Sequence, residues 1–290
     1  TPAQSHWLER PEGLFEFSDY RGAIQERCDV VVVGSGPGGA LAALELQKAG
    51  KKVILLEAGP VLRKDDLIRD GGITMARYFW DSGMRTTSGN IILPTMQGKV
   101  LGGGSVVNSA ICLRPKDESL EIWADEWGVT DHEPDVLAPH FDAVESFMNI
   151  KPADPEVMGP RNDLFAKACD AVGLQATPIR RNELGCRGSG GCLYGCPNGA
   201  KLSTDRRGVP EFLEAGGRVY TSVTVDKVDI RQGRVQGITG TITEPFTNKP
   251  SGSVKIFAKA VVLAAGVIGT PVLAQKSGLT AKAIGSNLLM

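Results

Sequence analysis

The residues with the clearest chemical role form one glycine-rich turn: Gly34, Ser35, Gly36, Pro37, Gly38 and Gly39. The turn follows a β-branched run (29–34) and precedes a helix-forming stretch (38–50). Gly34 permits the tight turn, Gly36 lets a pyrophosphate approach the backbone, and Gly39 lets the helix pack close to the strand. The helix N-terminus adds N–H groups and the positive end of a dipole. The pattern predicts a dinucleotide site; the alternative is a glycine-rich turn that serves packing alone.

An acidic residue stands where such a site needs one. Glu57 comes eighteen residues after Gly39, at the end of the apolar run KVILLEAG (52–59), and Ala58 follows it. A carboxylate at this place can accept hydrogen bonds from an adenosine ribose. The two predicted strands and the helix form a βαβ unit. This unit by itself fits either NAD or FAD.

Two later segments discriminate between these cofactors. KVLGGGSVVNSAICLRP (99–115) is a second glycine-rich turn, and AVVLAAGVIGTPVLAQKSG (260–278) is a late strand that returns to a glycine. An NAD-only fold needs neither segment. A flavin carries a ribityl chain and a three-ring isoalloxazine, and more segments are needed to hold it. We therefore expect FAD.

These segments together resemble the glucose–methanol–choline (GMC) oxidoreductase family of FAD enzymes. The resemblance runs from about residue 29 to 290 and rests on three motifs: the turn that ends in LLEAG, the block GKVLGGGSVVN, and GVIGTPVLAQKSGL. The stretch CRGSGGCLYGCPNGAKLS (186–203) is similar to a subgroup of bacterial and long-chain alcohol oxidoreductases.

The resemblance implies further cofactor-binding residues: Val100, Gly103, Gly104, Asn108, Ser109, Ala110, Ile111, Val225, Ala265 and Gly266. By this resemblance, the members between 100 and 111 line the flavin, and the backbone of Val225 meets the adenine. Ala265 and Gly266 match a turn beside the pyrophosphate and the ribityl chain. Some family members bind FAD through a histidine at the position of Val107, so the resemblance implies non-covalent FAD here.

The resemblance also implies an activity, the oxidation of an alcohol by hydride transfer to flavin N5. The subgroup implies an apolar or aromatic alcohol. The family's histidine base has no match in His6, His132 or His140, so the catalytic residue is unassigned and is expected beyond Met290. The chain is expected to be the flavin-binding half, with a C-terminal half that was cut away or is a second polypeptide. Alternatives are lyase or decarboxylase chemistry on the same fold, or a non-catalytic flavin-binding subunit.

The order of segments predicts an α/β fold, a doubly wound parallel sheet with a β-meander and part of a second domain. The predicted domains are an N-terminal arm (1–28), a discontinuous FAD-binding domain (29–115 and 200–290) and part of a cap or substrate domain (116–199).

Three other stretches carry expectations of their own. Residues 219–243 alternate and turn at Gln232-Gly233, which predicts the meander. Residues 254–265 predict a half-exposed strand followed by a buried one. Residues 60–100 show little periodicity and are expected to form a long functional loop.

Three cysteines cluster at Cys186, Cys192 and Cys196, a C-x5-C-x3-C spacing followed by proline. The ending resembles an iron–sulfur ligand run, but such clusters use closer spacing and a fourth cysteine, and zinc also takes four ligands. The spacing therefore leaves structural thiols or a local disulfide, a metal or cluster, and redox-active thiols open; we expect no metal. Cys28 and Cys112 adjoin apolar runs, which favours buried thiols.

Composition excludes several classes of partner. The net charge of −1 favours neither nucleic acid nor an acidic membrane surface. The sequence contains no run of about 20 apolar residues, so no membrane-spanning helix is predicted. The first residues lack the pattern of a signal peptide. The cysteine content favours a cytoplasmic location.

Overall fold

A computed structural model describes residues 10–67, 70–286 and 288 of the chain. Its strands, in chain order, are β1 (Leu14–Phe15), β2 (Ile24–Arg27), β3 (Val30–Val33), β4 (Val53–Leu56), β5 (Ile150–Pro152), β6 (Arg180–Asn182), β7 (Arg218–Tyr220), β8 (Val223–Arg231), β9 (Arg234–Thr243), β10 (Pro250–Phe257) and β11 (Ala260–Leu263).

The α-helices are numbered in the same way. They are α1 (Pro37–Lys48), α2 (Gly71–Tyr78), α3 (Asp117–Trp127), α4 (Pro134–Phe147), α5 (Pro155–Met158), α6 (Pro160–Ala171), α7 (Val209–Glu214) and α8 (Gly266–Lys276). Among the described residues, no helix has the length and apolar character needed to cross a bilayer.

The predicted βαβ unit is present as β3, α1 and β4. All four valines of β3 and all four residues of β4 are buried, because the strands lie inside a parallel sheet that is covered on both faces. Helix α1 ends at Lys48. Gly50 follows with φ +78°, a left-handed conformation that is common just after a helix and that glycine adopts more easily than other residues.

The parallel sheet has the strand order β1-β7-β4-β3-β11, with all neighbours parallel. A second sheet has the order β2-β10-β9-β8 and contains the predicted meander. Gln232 and Gly233, both with positive φ, form the tight turn between β8 and β9. The α/β fold class with a parallel sheet is confirmed.

The main apolar core is formed by side chains of both sheets. Val31 and Val33 of β3 and Ile54 and Leu56 of β4 belong to one buried cluster with residues of the second sheet. Those second-sheet members are Val223, Val228, Ile238, Ile242, Val254 and Ile256. Burial of this apolar surface is the main stabilising contribution to the fold.

Three expectations from the sequence differ from the structure. Residues 14–15 and 24–27 of the predicted arm form β1 and β2, which pair with β7 and β10. The loop expected over 60–100 contains α2, where the Asp70 side chain caps the helix by accepting the Ile73 N–H. The last strand, expected to be buried, is only half-buried, because β11 is the edge strand of the sheet and pairs with β3 alone.

The chain divides into two compact units. The first contains the described residues up to Val107, Leu193–Gly195 and the described residues from Ser203 onward; the second contains Asn108–Cys192 and Cys196–Leu202. Both sheets of the core lie in the first unit. The second unit contains α3 to α6 and the antiparallel pair β5-β6. The domain limits at 115/116 and 199/200 stay predictions.

A substitution at Gly237 of β9 tests the packing between β9 and β10. Its φ is +142°, and a Cβ there would lie 1.9 Å from the carbonyl oxygen of Ile256. We expect Gly237→Ala to lower the free energy of unfolding by more than about 2 kcal/mol in urea titrations, because backbone must move. Gly233→Asn is the control: its Cβ meets open space, and we expect a change within about 1 kcal/mol. Equal unfolding midpoints for the two variants would contradict this account.

Candidate functional site

The glycine turn after β3 has two kinds of glycine. A Cβ on Gly34 would lie 2.3 Å from the carbonyl oxygen of Ala264, and a Cβ on Gly39 would lie 1.8 Å from the carbonyl oxygen of Gly34. These two positions are closed to any side chain by neighbouring backbone. A Cβ on Gly36 or Gly38 would meet nothing within 4 Å. The chain therefore keeps a bare backbone surface on the open side of the turn.

The N-terminus of α1 opens onto the same surface. Gly36 is its N-cap, with extended backbone and no side-chain cap, and Pro37 is the first helical residue. Proline suits this position because its missing N–H would have no partner within the helix. The following N–H groups and the helix dipole favour an anion at this end. The turn thus has the shape and polarity that a pyrophosphate requires.

Glu57 is buried at the carboxyl end of β4, next to the turn. Its Oε2 accepts hydrogen bonds from the N–H (3.1 Å) and the hydroxyl (2.6 Å) of Ser35, and its Oε1 accepts one from the Gly59 N–H (2.9 Å). Burial raises the pKa of Glu57, and these hydrogen bonds, with one from the Ala58 backbone, oppose the shift. The contact of Glu57 with a ribose hydroxyl stays a prediction.

The second glycine turn meets the first directly. A Cβ on Gly103 would lie 3.1 Å from the Cα of Gly36, so the two turns touch through backbone. Val100 is fully buried at the start of this turn, and Gly104 faces open space. The structure thus brings the two predicted glycine motifs together, although they are far apart in the sequence.

The late turn also reaches the site. A Cβ on Gly34 would lie 3.1 Å from the Cα of Ala265, the N-cap of α8, and Gly266 begins that helix with φ +79°. Val225 lies on β8 opposite Gly240 and packs against the core, as Ala265 does. The contact of Val225 with adenine stays a prediction.

The rest of the predicted flavin-lining run belongs to the second unit: Asn108, Ser109, Ala110 and Ile111. Ala110 is buried with φ +62°, and its N–H bonds to Asn108 Oδ1 at 3.0 Å; the other three residues are exposed. The ammonium of Lys201 donates to the Asn108 carbonyl at 2.9 Å, and Ile111 bridges to Arg181. Their role toward a flavin stays a prediction.

Two hydroxyl residues at the turns, Ser105 and Thr204, were not identified from the sequence. Ser105 donates to the carbonyl of Gly102 at 2.7 Å, and Thr204 reaches both glycine turns. In the sequence, Ser105 directly follows the glycines of the second turn, and Thr204 lies in the polar stretch LSTD (202–205). A small polar residue next to a glycine-rich segment is the only sequence signal for either residue. Such residues are common in ordinary turns, so the signal alone was weak.

The clustered cysteines line one cavity of about 110 Å³ in the second unit, together with Arg181 and Lys201. All three are free thiols. The guanidinium of Arg181 lies 3.0 Å from Cys192 Sγ, and backbone N–H groups donate to Cys186 Sγ (3.5 Å) and Cys196 Sγ (3.3 Å). The local disulfide considered from the spacing does not form, and each sulfur is a hydrogen-bond acceptor.

The remaining cysteines differ in burial. Cys28 is buried, and burial raises the pKa of its thiol to about 11, so it is a neutral thiol at physiological pH. Cys112 is only partly buried. Of the two residues expected to be buried thiols, the structure therefore buries one fully.

The histidines add no candidate base. His132 and His140 are exposed in the second unit, and His132 Nδ1 lies 2.9 Å from the carbonyl oxygen of Thr130; His6 lies outside the described residues. Within the described ranges, no group of three or more His, Cys, Asp or Glu residues is arranged to hold a metal ion.

Two solved oxidase structures share this fold. A pyridoxine 4-oxidase from Mesorbium loti superposes with a TM-score of 0.66 at 20% identity, covering 87% of this chain and 52% of that one. An Aspergillus oryzae RIB40 formate oxidase gives 0.64 at 19% identity, covering 88% and 48%. At these identities the likeness establishes the fold.

Residues 29–85 match the FAD binding domain family. This segment contains the first glycine turn, α1, β4 and Glu57. The open backbone at Gly36 and Gly38, called the cradle below, and the acceptor Glu57 suit a dinucleotide. FAD is the cofactor of this chain.

The two kinds of glycine give a direct test of the cradle. We expect Gly36→Ala to leave the stability of the apoprotein within about 0.5 kcal/mol and to weaken FAD binding at least about tenfold, because its methyl group enters the space for the pyrophosphate. Gly39→Ala should instead destabilise the apoprotein, since its Cβ meets backbone. Urea titration and quenching of flavin fluorescence measure the two effects. Undiminished FAD affinity in Gly36→Ala would place the pyrophosphate elsewhere.

Curated relatives are similar over most of this sequence. An uncharacterized GMC-type oxidoreductase of Mycobacterium tuberculosis (strain H37Rv) is 34% identical over 291 residues, which cover 96% of this chain and 43% of that protein. A long-chain-alcohol oxidase of Arabidopsis thaliana is 31% identical over 269 residues, covering 90% and 36%. The chain therefore spans less than half the length of these relatives. Residues 64–290 match the family described as GMC oxidoreductase, and the chain belongs to the GMC oxidoreductase family.

Proposed function

We propose that this chain is the flavin-binding portion of an oxidoreductase that oxidises an alcohol. The observation that carries the proposal is the bare glycine cradle at the N-terminus of α1, with Glu57 beside it. Similarity to long-chain-alcohol oxidases over about nine-tenths of the chain supports the alcohol as substrate. When bound, FAD supplies the hydride acceptor at N5.

The residues of this chain bind and orient the cofactor. The turn at Gly36 and Gly38 receives the pyrophosphate, and Glu57 accepts a hydroxyl of the adenosine ribose. Backbone at Val100 and Gly103 of the second glycine turn lies along the flavin. In such enzymes the protein supplies binding, orientation and electrostatics, while the cofactor supplies the hard chemistry.

We place the acid–base step outside these residues. A general base must come within hydrogen-bond reach of the alcohol proton, and His132 and His140 are exposed residues of the second unit. The relatives are more than twice as long as the matched region, which leaves room for that residue in a C-terminal portion or a second polypeptide. A cytoplasmic location remains a prediction from the cysteine content.

The substrate is proposed to be an apolar or aromatic alcohol. The test is anaerobic mixing of the FAD-loaded protein, with the C-terminal portion or second polypeptide present, with a series of primary alcohols, and alkanes of equal length are the controls. We expect alcohols to bleach the visible absorbance of the oxidised flavin and alkanes to leave it unchanged. A flavin that stays oxidised with every alcohol would overturn the proposal and favour a lyase, a decarboxylase or a non-catalytic subunit.

FAD is proposed to bind without a covalent bond. Val107 is buried in an apolar cluster with Leu62, Tyr78, Phe79, Val100 and Val106, and its side chain has no nucleophilic atom. We therefore expect acid precipitation to release all flavin fluorescence into the supernatant. Flavin that remains with the precipitated polypeptide would contradict this.

A further inference from the structure

The hydroxyl of Thr204 lies at the junction of the two glycine turns. Thr204 has no exposed surface. Its Oγ1 is 3.0 Å from the carbonyl oxygen of Ser35, 3.0 Å from the carbonyl oxygen of Gly102, and 3.0 Å from Ser105 Oγ. One buried side chain from a third segment thus contacts the first turn and the second turn together.

The hydrogen-bond donors around Thr204 can be counted. A hydroxyl has one proton, and the positions of the two carbonyl oxygens allow Thr204 to share its proton between Ser35 and Gly102. Ser105 Oγ donates to Gly102 at 2.7 Å and accepts the Thr204 N–H at 3.0 Å. Removing the Thr204 hydroxyl therefore takes a donor away from two carbonyl groups at a place that water does not reach. Losing a partner in a buried site costs more than losing an exposed one.

The turns depend on such hydrogen bonds because they meet through glycine. A Cβ on Gly103 would lie 3.1 Å from Gly36 Cα, and one on Gly102 would lie 2.9 Å from the Asp205 nitrogen. Glycine backbones offer no interlocking side chains at these contacts. Hydrogen bonds that cross between the turns must then set their separation: the Gly102 N–H donates to Ser35 Oγ at 2.8 Å, and Thr204 reaches both carbonyl groups.

We propose that Thr204 is a positioning residue for FAD. It acts through Ser35 and Gly102, and it fixes the distance between the two glycine turns and hence the width of the cradle at Gly36. The affinity for FAD then depends on a hydroxyl that belongs to neither glycine motif. This inference rests on FAD binding and does not require the proposed alcohol oxidation.

The test compares three variants. Thr204→Val keeps the shape of the side chain and removes the hydroxyl, and Thr204→Ser keeps the hydroxyl. Thr221→Val is the matched control, because Thr221 is also buried (1% exposed) and donates to a backbone carbonyl, that of Phe15, at 3.2 Å. The dissociation constant of FAD is measured by reconstituting each apoprotein, and the melting temperature of each apoprotein is measured separately.

We expect Thr204→Val to raise the dissociation constant about tenfold, a change equivalent to about 1.4 kcal/mol. Thr204→Ser should remain within about twofold of the parent protein, and Thr221→Val should lower the melting temperature with a similarly unchanged affinity. If Thr204→Val does not fold, Thr204→Ala replaces it, and the same tenfold rise in the dissociation constant is expected. The proposal is overturned if the variant without the hydroxyl binds FAD as the parent does, if Thr204→Ser fails to retain affinity, or if Thr221→Val weakens binding equally.

Discussion

The contact on which the site depends is the approach of backbone to backbone around Gly34. The carbonyl of Ala264 lies where a side chain of Gly34 would be, and the carbonyl of Gly34 lies where a side chain of Gly39 would be. Only glycine fits at these two positions. The contact fixes the start of α1 against the ends of β3 and β11, so the helix N-terminus is held at the carboxyl edge of the parallel sheet. In open α/β sheets this edge is where ligands bind.

Burial of one carboxylate adds the second constraint. An ionised carboxylate is costly to bury unless it is hydrogen-bonded, and the chain supplies Glu57 with donors from Ser35 and Gly59. The Ser35 hydroxyl also accepts the Gly102 N–H. The Ser35 side chain therefore donates to the carboxylate and also connects the first glycine turn to the second.

The second unit is organised differently. Lys201 is almost fully buried, and its ammonium donates to the carbonyl groups of Asn108 (2.9 Å) and Cys192 (2.8 Å). A buried cation requires such partners, so Lys201 holds the beginning and the end of this unit together. Arg181 and the three clustered cysteines lie around the same cavity. The polar contacts at this cavity contrast with the apolar core between the sheets of the first unit.

The sequence by itself determined the βαβ unit, the glycine turn, the meander and the position of Glu57. These features depend on local properties: β-branched runs form buried strands, and positive φ or close approach demands glycine. The tertiary structure alone decided the half-exposed edge strand β11, the pairing of β1 and β2, and the contacts of Thr204. Those features depend on partners far away in the chain, since Ser35 and Thr204 are 169 residues apart. A hydroxyl is an ordinary turn residue in the sequence, and only folding brings it to the two carbonyl groups that give it a role.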